Sequence, residues 1–356
     1  MSRRLVVFGL SLSSSWGNGH AIPFRGLCAE LAWRGFDITF YERDVEWYRS
    51  NRDVRAPDYC DLRFYDDDWS VARPALASAD AVLIGSYVAD GAAIIDAVVR
   101  AGRPLLFYDI DTPITLTALQ RDGRTDYLRA DQIPHVDVYF SFTGGPALRE
   151  LRDVWGARRA EALYCAVDPQ VYHPAPTDAR FACRLGYMGT YAADRQPRLE
   201  ALLIETARHH PTERFLIAGP QYPPMALPPN VGHAVHLYPR EHPAFYSSNL
   251  ATLNLTRDAM RRYGWSPASR LFEAAACGAC IISDRWPGLE AVLEPDAEVL
   301  LADTRAEVEA HLEALTPERR SAIGEAARQR VLREHTFAHR AAQVEAALAS
   351  LLGAPA

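Results

Sequence analysis

One segment in the second half of the 356-residue chain combines a helix-start signal with an arginine and a glutamate at helical spacing. Ser266 is a good helix N-cap and Pro267 a good first helical residue, which predicts a helix N-terminus able to bind an anion. Arg270 then falls in the first turn, where its guanidinium could donate to a phosphate. Glu273 follows on the same helical face, and its carboxylate could accept both hydroxyls of a ribose.

A second group with suitable chemistry follows a predicted strand and contains Gly189, Thr190 and Arg195. Gly189 has no side chain, so the backbone could approach a phosphate closely, and Arg195 could pair with it. The alternative is a tight turn beside a solvated arginine. Arg257, after a later strand, could face the same ligand or serve only in an ion pair. We count all four as candidate ligand-binding residues.

In the first half, a glycine-containing loop of Gly17, Asn18 and Gly19 precedes His20. Such a loop permits close approach of a ligand. His20 is a candidate general base, because an imidazole titrates near neutral pH. The alternative is that His20 only caps the following helix.

Two carboxylates, Asp109 and Asp111, lie at the end of another predicted strand. Alternate residues of an extended segment point to the same side, so the pair could converge as a base, as ligands of a substrate or as metal ligands. They could also be the polar turn and N-cap of a helix. We count both as candidate catalytic residues, and we expect no metal site.

The elements that would position these residues are short apolar strands alternating with amphipathic helices, and the pattern occurs twice. This predicts an α/β protein with two Rossmann-like, doubly wound parallel-sheet domains that face a cleft. The predicted strands are Leu5–Leu10, Asp37–Tyr41, Ala81–Gly85, Pro104–Tyr108, Val136–Phe140 and Glu161–Cys165, then Leu185–Met188, Arg214–Ala218, Ala234–Leu237, Ala251–Leu255, Cys280–Ser283 and Val299–Leu301.

The predicted domain boundary lies at a proline-rich connector, residues 168–180. We therefore expect an N-terminal domain over residues 1–168 and a C-terminal domain over 169–336. A final helix, Phe337–Leu352, is expected to complete the N-terminal domain.

Composition excludes several classes of protein. The formal net charge is -7, from 38 basic and 45 acidic residues, so no nucleic-acid partner is expected. No apolar run is long enough for a membrane span, and the apolar run after Arg3 and Arg4 fits a first strand better than a signal peptide. We expect a cytoplasmic protein. Cys277 and Cys280 follow a helix instead of starting one, which favours buried packing over a redox pair.

The second-half segment resembles the donor-binding signature of group 1 glycosyltransferases, a family-4-like set, and most closely its CgeB-like branch. The matching residues are Ser266-Pro267-Ala268-Ser269-Arg270-Leu271-Phe272-Glu273-Ala274-Ala275-Ala276-Cys277-Gly278, with Leu185-Gly186-Tyr187-Met188-Gly189-Thr190-Tyr191 and Asn254 to Arg257 as further matches.

The resemblance implies a GT-B fold and transfer of a sugar from a nucleoside-diphosphate sugar, by default a UDP-sugar, to an acceptor hydroxyl. It implies that the C-terminal domain holds the donor, with Glu273 on the ribose and the backbone near Ser266 at the diphosphate. The acceptor would face the N-terminal domain, and no tightly bound cofactor is expected. The family often carries another glutamate eight positions before the ribose-binding one, whereas this chain has Trp265, so the detailed retaining mechanism does not carry over.

Three alternatives remain open. One is a sugar-nucleotide epimerase of the same fold, and another is a non-catalytic carbohydrate-binding or coat-type relative. The third is an oxidoreductase, since Gly17, Gly19 and Glu42 mimic part of a dinucleotide fingerprint, although Ile22 occupies the third glycine position.

Overall fold

The computed structural model describes residues 3–353, which form two compact units. One unit contains the chain up to Tyr164 and again from Phe337 onward, and the other is Cys165–Thr336. Each unit is built on a parallel sheet covered by helices. No helix within residues 3–353 is long and apolar enough to cross a membrane.

The first unit, within the described residues, has seven parallel strands in the order β3-β2-β1-β4-β5-β6-β7. The order reverses between β1 and β4, which is where ligands bind in doubly wound sheets. The strands are β1 (Arg3–Gly9), β2 (Phe36–Arg43), β3 (Asp61–Tyr65), β4 (Ala81–Gly85), β5 (Leu105–Asp109), β6 (Val138–Ser141) and β7 (Ala160–Ala162). The helices before Tyr164 are α1 (Ala21–Trp33), α2 (Glu46–Arg49), α3 (Arg73–Ser78), α4 (Gly91–Arg100), α5 (Thr112–Asp122) and α6 (Pro146–Asp153).

The second unit repeats this topology with six parallel strands in the described chain, in the order β10-β9-β8-β11-β12-β13. Its reversal lies between β8 and β11. The strands are β8 (Cys183–Met188), β9 (Phe215–Ala218), β10 (Val231–Ala234), β11 (Asn249–Asn254), β12 (Ile281–Ser283) and β13 (Leu300–Leu301). The helices are α7 (Gln196–Leu199), α8 (Glu205–His209), α9 (His242–Ser248), α10 (Asp258–Tyr263), α11 (Ser269–Ala276), α12 (Arg305–Ala314) and α13 (Pro317–Glu334), with a π-helical turn, Glu200–Ile204, joining α7 to α8.

The final helix, α14 (Phe337–Leu352), has the predicted bounds and packs on α1. A Cβ atom placed on Gly26 would lie 2.1 Å from the Phe337 ring, so the glycine permits this close helix contact. At the far end of α1, Arg34 donates to the Glu345 carboxylate at 2.8 Å.

The predicted class, two Rossmann-like units with parallel sheets, is confirmed. The differences from the predicted strands are largest at sheet edges, where β3 was not predicted, the strand at Ala234–Leu237 is misplaced and Glu161–Cys165 overlaps β7 only in part. β3 escaped detection because its polar Asp61 and Arg63 are exposed at the edge of the sheet. The strand predicted at Ala234–Leu237 is wrong, since β10 ends at Ala234 and Val235 is 68% exposed.

Candidate functional site

A cluster of arginines and tyrosines lies just beyond β8, at the strand-order reversal of the second sheet. Gly189 is the first residue after the strand. A Cβ atom there would lie 2.6 Å from Arg270 Nη2 and 2.8 Å from the Tyr187 hydroxyl. The glycine therefore makes room for the guanidinium, which lies over the Tyr187 ring at 5.3 Å and donates through Nη1 to the Leu255 carbonyl at 3.0 Å.

Arg195 is held in the same cluster. Its Nη2 donates to the backbone carbonyl of Thr190, so Thr190, another candidate ligand-binding residue, lies beside it. Its Nε is buried, and no group within residues 3–353 accepts from it. Burial lowers the pKa of Arg195, and the positive charges of Arg270 and Arg257 lower it further. A buried anion at this position would relieve the repulsion and satisfy the unpaired donor.

Arg257 has a carboxylate partner in the structure. Its Nε is 3.4 Å from Asp194 Oδ2, and the same oxygen accepts from the Asp258 N–H at 3.1 Å. The geometry thus fits the ion-pair alternative for Arg257, while its charge still acts on Arg195.

Glu273 lies on α11, where its side chain is almost completely buried. The Tyr246 hydroxyl donates to its Oε2 over 3.3 Å, and His242 Nδ1 is 3.8 Å from the same oxygen. Arg270 and Glu273 therefore start from one helix, as their spacing predicted.

The predicted capping by Ser266 is wrong. Helix α11 begins at Ser269, and its N-cap is Ala268, which makes no side-chain capping bond. Ser266 and Pro267 are buried in the segment before it. Just before Ser266, the backbone turns at Trp265, which has φ of 43° and whose N–H donates to the Pro287 carbonyl at 2.6 Å. The backbone is still extended at Ala268, with φ of -72° and ψ of 149°, so helical geometry begins only at Ser269.

In the first unit, the glycine loop presents His20 at the start of α1. Asn18 Oδ1 accepts from the N–H groups of His20 and Ala21 at 3.0 and 3.2 Å, so Asn18 caps the helix. His20 makes no side-chain capping bond, and its imidazole is left for another role. Gly17 has φ of 67°, a conformation that favours glycine, whereas a Cβ atom on Gly19 would meet nothing within 4 Å.

The His20 imidazole faces Asp111. Its Nε2 is 3.9 Å from Asp111 Oδ2, within ion-pair range, and its ring packs edge-on against Tyr87 with 5.3 Å between centroids. The side chain of Asp111 is 22% exposed and that of His20 only 7%. His20 Nδ1 is buried without a hydrogen-bond partner in the described part of the chain. Asp111 favours the tautomer protonated at Nε2, which leaves the Nδ1 lone pair unused.

The two carboxylates do not converge as expected, because Asp109 is buried in the unit while Asp111 faces His20. Asp109 is fully buried and accepts from the hydroxyls of Tyr139 at 2.6 Å and Thr115 at 2.9 Å. Burial raises its pKa to about 6. Its Oδ1 also accepts from the Asp111 N–H at 3.3 Å. Asp109 thereby positions the Asp111 backbone.

A groove of about 810 Å³ lies beside these residues in the first unit. Tyr87 connects it to His20, since its ring contacts both the imidazole and the ring of Tyr127. Tyr87 has φ of 64°, a strained conformation of the kind found at functional sites. The lining combines aromatic rings with charged and polar groups, including Arg121, Asp126 and Thr125.

Glu42 cannot act as the acidic residue of a dinucleotide fingerprint. It is fully buried and accepts from the N–H groups of Leu12 and Ser13 at 2.6 and 2.8 Å, and from the Ser13 hydroxyl at 2.6 Å. These bonds fix the loop after β1 and occupy the carboxylate. The oxidoreductase alternative therefore loses its ribose ligand.

The described residues contain neither a candidate metal site nor a disulfide. Within residues 3–353, no group of three or more His, Cys, Asp or Glu side chains could hold a metal ion. The cysteines are thiols, and burial raises the pKa of Cys277 and that of Cys280, the latter to about 11. Both therefore stay protonated at neutral pH, in line with packing.

Sequence reasoning missed several aromatic residues that contact the candidate groups directly or contact their immediate neighbours. Tyr187 lies two residues before Gly189 in a segment that was already singled out, so its proximity could have been foreseen. The others come from separate elements and meet only through the tertiary fold; they are Tyr87, Tyr127, Tyr139, Tyr172, Tyr222, Tyr246 and His242.

Comparisons with known proteins agree with this architecture. A family model described as glycosyl transferase-like matches residues 195–346. Sucrose-phosphate synthase from Thermosynechococcus elongatus aligns with a TM-score of 0.66 at 13% identity, covering 98% of this chain and 99% of that one. Anabaena HepE, solved with UDP-glucose, aligns with a TM-score of 0.70 at 12% identity over 98% and 99% of the two chains.

A third structure, the trehalose-6-phosphate protein of E. coli bound to UDP-2-fluoro glucose, gives a TM-score of 0.66 at 12% identity over 97% and 98%. The fold is GT-B. The segment that matches the glycosyl transferase-like model, residues 195–346, contains Arg195, Arg257, Arg270 and Glu273. No curated protein sequence matches the chain.

Proposed function

We propose that this GT-B protein is a glycosyltransferase, of the CgeB-like branch, that moves a hexosyl or related sugar from a UDP-sugar to an acceptor hydroxyl in glycan biosynthesis. The observation that carries the proposal is the arginine cluster beyond β8. Arg270 fills the space that Gly189 leaves, Arg195 has a buried unpaired Nε, and Glu273 follows on the same helix as Arg270.

The donor belongs on the second unit in this proposal. Arg195 and Arg270 neutralise the diphosphate and stabilise the charge that develops as it leaves, so no metal ion is needed. Glu273 accepts the ribose hydroxyls. UDP is favoured as the leaving group because HepE and the E. coli protein were solved with UDP-sugars or their analogues.

The acceptor belongs on the first unit. His20 Nδ1 takes the proton of the acceptor hydroxyl as the new glycosidic bond forms, and Asp111 orients the imidazole and stabilises its positive charge. The groove beside Tyr87 holds the rest of the acceptor. Asp109 keeps Asp111 in place, and the Gly17, Asn18 and Gly19 loop fixes the start of α1.

An assay of nucleoside-diphosphate release tests this function. The donors are UDP-glucose, UDP-galactose, GDP-mannose and dTDP-glucose, each with and without simple glycosides as acceptors. We expect the wild-type protein to turn over one of these donors. Arg270→Gln should lower kcat/KM by about 10- to 100-fold, whereas Arg262→Gln, at an exposed arginine on α10, should leave kcat/KM unchanged. Equal losses in both variants, or conversion of a donor to its epimer without release, would contradict the proposal.

A further inference from the structure

His242, the first residue of α9, lies against the carboxylate proposed to bind the donor ribose. Its Nδ1 is 3.8 Å from Glu273 Oε2 and 3.2 Å from the Tyr172 hydroxyl, and its Nε2 is 3.1 Å from the Leu237 carbonyl oxygen. The side chains of His242 and Glu273 are only 13% and 8% exposed. Water therefore screens their interaction weakly.

The neighbours determine which nitrogen of the neutral imidazole carries the proton. The Leu237 carbonyl can only accept, so Nε2 must donate to it. Nδ1 is then an acceptor, and the Tyr172 hydroxyl donates to it. In this state His242 offers Glu273 no hydrogen bond, and the donor to Oε2 is the Tyr246 hydroxyl at 3.3 Å.

Protonation reverses the role of Nδ1. It becomes a charged donor facing the Tyr172 hydroxyl and Glu273 Oε2, and the only negative charge among these contacts is on Glu273. A small rotation closes the 3.8 Å separation to a charge-assisted hydrogen bond. A carboxylate held in this way is a poorer acceptor for ribose hydroxyls.

The other titratable groups around His242 do not compete for this role. Burial raises the pKa values of Tyr172, Tyr246 and Cys277, so these groups keep their protons across the neutral range. The remaining charged or titratable neighbours on the adjoining segments are Glu241, paired with Arg180 at 3.5 Å, Arg240 over the Tyr238 ring, and Arg270 on α11.

We propose that His242 is a positioning residue that makes nucleotide binding depend on pH. Neutral His242 leaves Glu273 available to the ribose, and protonated His242 draws Glu273 into an ion pair and weakens binding. Binding and protonation are linked reciprocally, so a bound nucleotide favours the neutral imidazole. This inference rests on the proposed role of Glu273 in the transferase.

Calorimetric titration with UDP from about pH 5.5 to about pH 8 tests it, because imidazoles titrate in this range. In His242→Gln the side-chain amide can still donate to Leu237 but cannot gain a proton. We expect the wild-type Kd to rise toward acid by about fivefold more than that of the variant. Titration of the UDP phosphate is common to both proteins and cancels in this comparison.

Two further variants separate an effect of His242 from a general effect of replacing a histidine and from misfolding of His242→Gln. His210→Gln is the matched control, since His210 lies near Glu213 and Glu309 away from this cluster, and it should keep the wild-type profile. Tyr172→Phe removes the donor to neutral Nδ1 and should move the loss of affinity to higher pH. This second prediction stands even where His242→Gln fails to fold.

Identical pH profiles in wild type and His242→Gln, or tighter wild-type binding toward acid, would overturn the inference. If Glu273→Gln weakens UDP binding at about pH 8 while those profiles coincide, only the role of His242 fails. If UDP, GDP and dTDP all fail to bind at any pH, the proposed function and the inference fail together.

Discussion

At the scale of single residues, the candidate site depends on buried polar groups whose own protein partners are incomplete. Arg195 Nε and His20 Nδ1 are both buried without a partner within residues 3–353. Such groups are costly unless a ligand satisfies them. By contrast Asp109 and Glu42 are fully buried and fully engaged, which identifies them as groups that position loops. Unpaired buried atoms also occur elsewhere, for example Trp286 Nε1, so the assignment of Arg195 and His20 rests equally on their neighbours Arg270 and Asp111.

His20→Asn should lower kcat by about 10²- to 10⁴-fold, because asparagine cannot take the acceptor proton. The Kd for UDP should stay unchanged, because the donor is assigned to the other unit. Steady-state kinetics and calorimetry on the same preparation measure both quantities. His209→Asn, at an exposed histidine of α8, is the control. A kcat within twofold of wild type would remove His20 from the mechanism.

Asp109→Asn should change how stability depends on pH. Burial raises the pKa of Asp109 to about 6, above the usual 3.8, so its contribution to stability is full below about pH 4 and is lost as pH rises through about 6. Asparagine does not titrate. The difference in the free energy of unfolding, variant minus wild type, should therefore increase by about 2 kcal/mol between about pH 4.5 and about pH 7.5.

Urea denaturation at several pH values measures this difference, and Asp153→Asn, at an exposed aspartate, is the control. A pH-independent difference for Asp109→Asn would show that the buried carboxylate does not titrate in this range.

At the scale of secondary-structure elements, both sheets bring candidate residues together where the strand order reverses. The loop after β1 presents His20 and the turn after β4 presents Tyr87, while the turn after β8 presents Gly189. Elements with strong apolar patterns were predictable from sequence, and α14 has the predicted bounds. Edge strand β3 was not, because its alternating polar residues resemble a loop.

The start of α11 shows a second limit of sequence reasoning. Ser266 and Pro267 have good local propensity for a helix start, but they follow a left-handed turn at Trp265 and the backbone stays extended through Ala268. That turn is stabilised by a bond to Pro287, more than twenty residues away in sequence, which no local pattern reveals. Likewise, the contact of His20 with Asp111 depends on the sheet that places two separate loops side by side.

Gly189→Ala should weaken UDP binding by about tenfold or more, because the added methyl displaces the Arg270 guanidinium and costs a charge-assisted bond to the diphosphate. The melting temperature should also fall, because the methyl would lie 2.8 Å from the hydroxyl of the buried Tyr187, so affinity is compared on protein that is shown to be folded. Gly232→Ala, where the nearest atom is a Leu216 methyl group at 3.2 Å, is the control in calorimetric titrations. Unchanged affinity for UDP in Gly189→Ala would argue against a phosphate at this turn.

At the scale of the whole molecule, the chain leaves the first unit at Tyr164 and returns to it at Phe337. The first unit therefore depends on α14, whose Phe337 is buried against α1. The net charge of -7 coexists with a local arginine cluster in the second unit, so bulk charge says little about that site.

Phe337→Ala should destabilise the first unit by about 3 to 5 kcal/mol through the cavity it leaves. The Kd of the second unit for UDP should not change. Scanning calorimetry with and without UDP follows both effects, and Leu352→Ala, at a partly exposed position of the same helix, should stay within about 0.5 kcal/mol of wild type. Loss of UDP affinity in the folded Phe337→Ala protein would contradict the assignment of the donor to the second unit.

A thermal-shift panel of UDP, GDP, dTDP, CMP and NAD on wild type, Glu273→Gln and the exposed control Glu313→Gln shows whether a nucleotide binds at Glu273. A ligand of the native state raises its melting temperature by mass action. We predict a rise with one nucleoside diphosphate for wild type and Glu313→Gln, and a much smaller rise for Glu273→Gln. A rise with NAD alone, or an equal rise in all three proteins, would contradict a donor site built on Glu273.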